Sequence, residues 1–176
     1  MSVTYFFAIF PDVDARDLAY AEAGLFKASL NLRGRLVARE RLHLTCHFVG
    51  RFVSSSIEVE AKAITVGEGI VAKPCEIEFN HALSLDSSGL APCVFAPTVV
   101  PRELKSLAEE LRGATRNDVP DPMRTFHPRV TWLRSQDRIY GTLPMSPLTW
   151  PIRSFSLAAG VAGEPAYRIV RTWVLT

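Results

Sequence analysis

The sequence predicts an α+β fold, and three observations carry that reading. Strand-like segments outnumber helix-like ones too heavily for a doubly wound parallel sheet. They run in the order strand, helix, strands, helix, strands, helix, strands. The 176 residues suit one domain, or two small lobes sharing a core. No tandem repeat, low-complexity tract or linker interrupts them.

The elements follow in order. Residues 3–10, VTYFFAIF, are β-branched and aromatic and read as a buried strand closed by Pro11 and Asp12. Residues 12–29 are rich in helix formers, with Leu18, Ala21, Leu25 and Ala28 at helical spacing. Strand signals return over 36–49. Serines 54–56 offer caps to a second helix reaching about residue 70. Two strands are expected near 73–85 and 91–97. Pro101 suits the first turn of a third helix, PRELKSLAEELRGATR. The turn formers NDVPDPMRT make a loop. A strand is expected over 126–133, and two more near 150–160 and 166–175.

Composition narrows the function classes. The chain is 48% hydrophobic and 22% charged, with a net charge of +2, so no strong global field draws it to nucleic acid. No run of about 18 apolar residues would span a membrane. The opening MSVTYFFAIFPD lacks a basic n-region and a cleavage site and reads as a core strand. Cys46, Cys75 and Cys93 form no CxxC pair, and an odd count without a signal peptide suggests reduced thiols in the cytoplasm. The basic residues are lopsided, sixteen Arg to four Lys. Arginine forms planar, bidentate contacts with phosphate, although GC-rich codon usage accounts for most of such a bias.

Two segments carry the chemistry. RLHLTCHFVG (41–50) sets His43 and Thr45 two apart, and FHPRVTWLR (126–134) sets Arg129 and Thr131 two apart. Strand residues i and i+2 share a face. His43, Thr45 and His47 are then expected on one face, with Leu44, Cys46 and Phe48 on the other. His127, Arg129 and Thr131 share a face of the second strand, where Pro128 suggests an edge or bulge. On a strand His43 and His47 lie roughly 13 Å apart, too far to share a metal ion. A basic side chain and a threonine from each strand, facing across a cleft, would suit a phosphate. Phe7, Phe48 and Trp132 are core by default, although an aromatic at a cleft mouth can stack on a base.

These segments are where a family resemblance enters. The chain resembles the 2H phosphoesterase superfamily, in its RNA 2',3'-cyclic phosphodiesterase or 2'-5' RNA ligase-like branch. VTYFFAIFP resembles the family's opening strand, LHLTCHFVG its first HxTx motif, and FHPRVTWLR its second, usually F-x-P-H-x-T-x-x-R. FSLAAGVAGEPAYRIVRTWVL resembles the closing strand pair. The resemblance implies residues 1–176 as a single domain of two pseudo-symmetric lobes. Their antiparallel sheets form a central cleft, with helices on the outside. It implies a metal-free, cofactor-free monomer acting on RNA ends or nucleotides with a 2',3'-cyclic phosphate, which it opens to a 2'-phosphate. One histidine serves as base and the other as acid, while the motif threonines, here Thr45 and Thr131, hold the phosphate. Arg134 falls where the family often has a phosphate-facing arginine.

The second histidine should stand where Arg129 stands. Arginine keeps its proton near neutrality, so it is neither a base nor a useful acid. It still binds phosphate and stabilises developing charge. Three readings follow. The protein is a weakened enzyme with His43 as its only proton-transfer group, or His127 replaces the missing histidine from two residues upstream. Otherwise the fold has become a binder of phosphorylated RNA ends or nucleotides.

Overall fold

The computed structural model describes residues 2–85, 91–115 and 125–176. Among these residues nine strands and three helices follow one another: β1 (Val3–Ile9), α1 (Val13–Ser29), β2 (Arg35–Leu36), β3 (Leu44–Phe52), α2 (Ile57–Glu68), β4 (Cys75–Ser84), β5 (Ala91–Ala96), α3 (Arg102–Thr115), β6 (Val130–Ser135), β7 (Thr142–Ile152), β8 (Ser154–Val161) and β9 (Arg168–Val174). A 3-10 turn at Arg39–Arg41 leads into β3.

Two helices start on side-chain caps, of which the sequence anticipated the serine. The Asp12 carboxylate accepts from Ala15 N at 2.9 Å, and the Ser56 hydroxyl accepts from Val59 N at 3.3 Å. Along α1 the spacing Leu18, Ala21, Leu25, Ala28 marks the helix but not its buried side. Leu18 and Leu25 are 62% and 66% exposed, while Ala15, Ala19 and Ala23 face the core. Small residues there let α1 approach the sheet closely.

The strands form one antiparallel sheet in the order β7-β4-β5-β6-β3-β1-β8-β9, with β2 paired to β6. It has two halves, β7-β4-β5-β6 and β3-β1-β8-β9. They meet through a single paired position, Leu44 against Val130. That narrow seam lets the halves bend about each other. Helices cover one face: α1 packs on β6 and β7, α2 on β8 and β9, and α3 on β3. Helix α1 thus follows a strand of one half and lies on the other, as does α3, and the two halves share their covering layer. Between helices and sheet lies the core, with Trp132 stacked on Phe95 and Phe7 against Phe155 and Trp173.

Two expectations change, and one falls outside the described residues. The strand expected over 126–133 begins only at Val130 and runs to Ser135. Pro128 has no N–H for a ladder, so Phe126 to Arg129 approach it unpaired. Strand β7 lies mostly before the expected 150–160 segment. Its Pro144, Pro147 and Pro151 disguise it, and they are tolerated because β7 is an outer strand of the sheet. Most of the turn-former loop, residues 116–124, lies outside the described residues. Among the described residues no helix is long and apolar enough to cross a membrane.

Candidate active site

The face of the sheet opposite the helices holds a cleft of about 950 Å³. His43 and Thr45 of the first motif line it together with Thr131 and Arg134 of the second. The seam explains this meeting. Leu44 opposite Val130 is the one paired position, with His43 and Thr45 flanking it on one side and Thr131 and Arg129 on the other.

Two β-bulges decide which other side chains reach the cleft. Thr45 pairs with Ala8 and His47 with Phe7, so Cys46 is the extra residue; Phe48 pairs with Phe6 and Gly50 with Tyr5, so Val49 is a second. Each extra residue reverses the alternation that follows it. Two sequence expectations fail here. His47 leaves the cleft face, and Phe48 joins it. His47 is buried toward α3, where Thr115 Oγ1 lies 2.6 Å from its Nε2. The Thr115 hydroxyl donates to the Leu111 carbonyl at 3.0 Å, so His47 donates through Nε2. His43 and His47 therefore occupy opposite faces of β3.

His43 sits in an aromatic frame. Its ring centroid is 5.1 Å from that of Phe6, 5.8 Å from Phe10 and 5.0 Å from Tyr167. Nδ1 lies 2.8 Å from the Arg41 carbonyl oxygen. A carbonyl only accepts, so Nδ1 carries the hydrogen and Nε2 is the unprotonated nitrogen of the neutral ring. Burial pushes the imidazole down to about 4, and the cations of Arg41 and Arg134 add to that shift. His43 is thus neutral near pH 7, as a general base must be.

Tyr167 is held where β8 and β9 join. A Cβ at Gly160 would come within 3.1 Å of the Tyr167 ring, so glycine opens the seat it fills. The Arg41 guanidinium stacks over Tyr167 at 4.3 Å and donates to the Glu164 carbonyl at 3.1 Å. Neither Tyr167, Phe6 nor Phe10 stood out in the sequence as a site residue. Arg41 could have been noticed, two positions before His43.

Of the remaining sequence candidates, Arg129 and His127 do not line this cleft and Arg134 does. Arg129 is half-buried on the Thr45 side of the seam but is not among the cleft-lining residues. Burial lowers its pKa, and it has no hydrogen-bond or ion-pair partner among the described residues. His127 is exposed and does not line the cleft either. Arg134 is exposed at the cleft edge, and its neighbour in register is Arg35, another lining residue.

No family model matches the chain, and no curated protein matches it. Solved structures do. Escherichia coli LigT complexed with ATP superposes with a TM-score of 0.77 at 25% identity, over 100% of this chain and 99% of that one. A structure described as a phosphoesterase gives 0.76 at 24% identity, over 98% of each chain. TT0787 of Thermus thermophilus gives 0.77 at 20%, over 98% of this chain and 97% of that one. This end-to-end agreement shows the LigT-like fold, and with two ordered motifs on one cleft the chain is similar to the 2H phosphoesterases.

Proposed function

We propose that the chain, acting as one two-lobed unit, opens 2',3'-cyclic phosphates of RNA ends or nucleotides to 2'-phosphates without a metal ion. One observation carries the reading: an unprotonated His43 Nε2 shares a cleft with Thr45, Thr131 and Arg134. Neighbouring LigT structures hold ATP, 3'-AMP, NADP+ and phosphate, which supports a nucleotide or RNA end as the ligand.

In this reading the threonine hydroxyls donate to the non-bridging phosphate oxygens, and Arg134 offsets their charge. His43 Nε2 takes a proton from water as the water oxygen bonds to phosphorus. The bond from phosphorus to the 3'-oxygen breaks. The departing oxygen draws its proton from solvent, because no second histidine stands in the motif. Turnover is therefore slow for a site of this kind, since one acid–base group is commonly worth about 10²- to 10⁴-fold.

Arg129 favours a second reading, a binder of phosphorylated RNA ends. A half-buried guanidinium with no described partner is suited to an anionic ligand. One experiment separates the two. Purified protein is given a 2',3'-cyclic nucleotide with and without chelator, beside His43→Ala. Chelator-insensitive 2'-phosphate formation that His43→Ala abolishes is the expected result. Tight product binding without turnover selects the binder, and turnover restored only by a stoichiometric metal overturns the metal-free mechanism.

A further inference from the structure

The cleft is longer than one cyclic phosphate requires, and its far end has its own chemistry. The two bulges that move His47 away bring Phe48 onto the cleft face and, cancelling each other beyond Val49, leave Arg51 there as well. Positions 45, 48 and 51 lie opposite Ala8, Phe6 and Thr4, which are alternate residues of β1. An unbulged strand would not show one face at that three-residue spacing. From His43, the row Thr45, Phe48, Arg51 advances two β1 residues at each step and spans about 20 Å.

Arg51 is exposed there, and its Nη2 donates to the Ser2 hydroxyl at 3.1 Å. It has no carboxylate partner among the described residues, and the same holds for Arg35, Arg41 and Arg134 on this cleft. Among the described residues that line it, Glu164 is the one acidic residue. The net charge of +2 is thus spread unevenly, and the cleft is a cationic track. Phe48, partly exposed, stands between Arg51 and the reactive centre.

We infer that Phe48 and Arg51 form a distal subsite. Phe48 stacks on a base, and Arg51 holds a backbone phosphate upstream of the reacting end. The substrate is then a single-stranded oligonucleotide and not a mononucleotide. This rests on the phosphoesterase reading of the same cleft. Base stacking on an aromatic side chain combined with a cationic groove is the general means of gripping a single strand. Neighbouring phosphates several nucleotides apart suit a row of arginines better than one cyclic phosphate does. Both residues belong to β3, the strand that carries His43, so their distance from the reactive centre is fixed.

The test compares a 2',3'-cyclic mononucleotide with a tetranucleotide ending in the same group. Native protein, Arg51→Ala and Phe48→Ala are each measured for turnover. Each is also measured for binding of the tetranucleotide 2'-phosphate product over a range of salt. Native protein is expected to prefer the tetranucleotide by kcat/KM. Arg51→Ala should reduce that preference about tenfold, the size of one charged hydrogen-bonding contact. It should also flatten the log–log salt dependence of product binding by about 0.7, one single-strand phosphate contact. An unchanged preference and salt slope in Arg51→Ala overturn the subsite. If neither substrate turns over but product binding still depends on Arg51, the phosphoesterase reading falls and the subsite stands.

Discussion

His43 donates its Nδ1 hydrogen across 2.8 Å to the backbone carbonyl of Arg41, two residues before it. This contact fixes the tautomer, and burial keeps the ring neutral with a pKa of about 4. A base that titrates near 4 in the free protein gives kcat/KM a flat profile from pH 8 to about pH 5. The profile of native protein on a cyclic nucleotide checks this, with circular dichroism confirming the fold at each pH. An acid limb centred near 6.5 would show that His43 is not the base, or is not buried as described.

The same shift is a stability statement. The unfolded histidine titrates near 6.5 and the folded one near 4. Between those values the unfolded chain binds a proton that the folded chain does not, so stability falls as pH falls. The contribution is complete above 6.5 and is lost on reaching 4, by about 3 kcal/mol. His43→Gln removes the titrating group. Urea unfolding of both proteins at pH 7 and pH 4 should show the native protein losing about that much more. Parallel losses in the two proteins would refute the shifted pKa.

Which residues share the candidate site's cleft was largely legible in the sequence, and the exceptions have physical causes. His43 with Thr45, and Thr131 with Arg134, share a cleft because alternation holds over two or three residues. It fails at Cys46 and Val49, where β1 pairs past an extra residue. A bulge belongs to a pair of strands, so β3 alone gives no sign of it. His47 and Phe48 exchange faces for that reason. Tyr167, seated by Gly160 across the hairpin, reaches His43 only because β1 lies between β3 and β8. The Leu18–Leu25 stripe misleads differently: α1 buries alanines, so its large residues mark the outside.

Gly34 fixes the wall that carries Arg35. Its φ is +112°, and a Cβ there would collide with the Arg134 carbonyl oxygen and lie 2.9 Å from Ser135 Cα. Both obstacles are backbone, so neither can swing aside. Gly34→Ala should cost about 2–4 kcal/mol, combining backbone strain with overpacking. It should also weaken phosphate binding, because Arg35 and Arg134 are paired in register next to it. Chemical denaturation and calorimetry with inorganic phosphate measure the two effects. A variant as stable as native protein would mean that β2 does not pack on β6 as described.

Arg129 stands where the motif that FHPRVTWLR resembles usually has its second histidine, next to Val130, the residue paired with Leu44, and without a described partner. A guanidinium keeps its charge through the working pH range and contributes no proton transfer. It forms two parallel hydrogen bonds to phosphate, which tightens binding of substrate and product alike. Binding that is equal in the ground state and the transition state does not raise kcat. Arg129→His gives the departing 3'-oxygen a proton donor and removes that grip. The variant should turn over a 2',3'-cyclic nucleotide at least about tenfold faster than native protein, given the usual size of an acid–base contribution. It should bind the 2'-phosphate product more weakly by calorimetry. His127→Ala in the native background completes the comparison. His127 is exposed and off the cleft wall, so its removal should leave the rate within about twofold, as for a surface change remote from special contacts. A native rate already as high as that of Arg129→His, lost in His127→Ala, would make His127 the second proton-transfer group and return Arg129 to the surface.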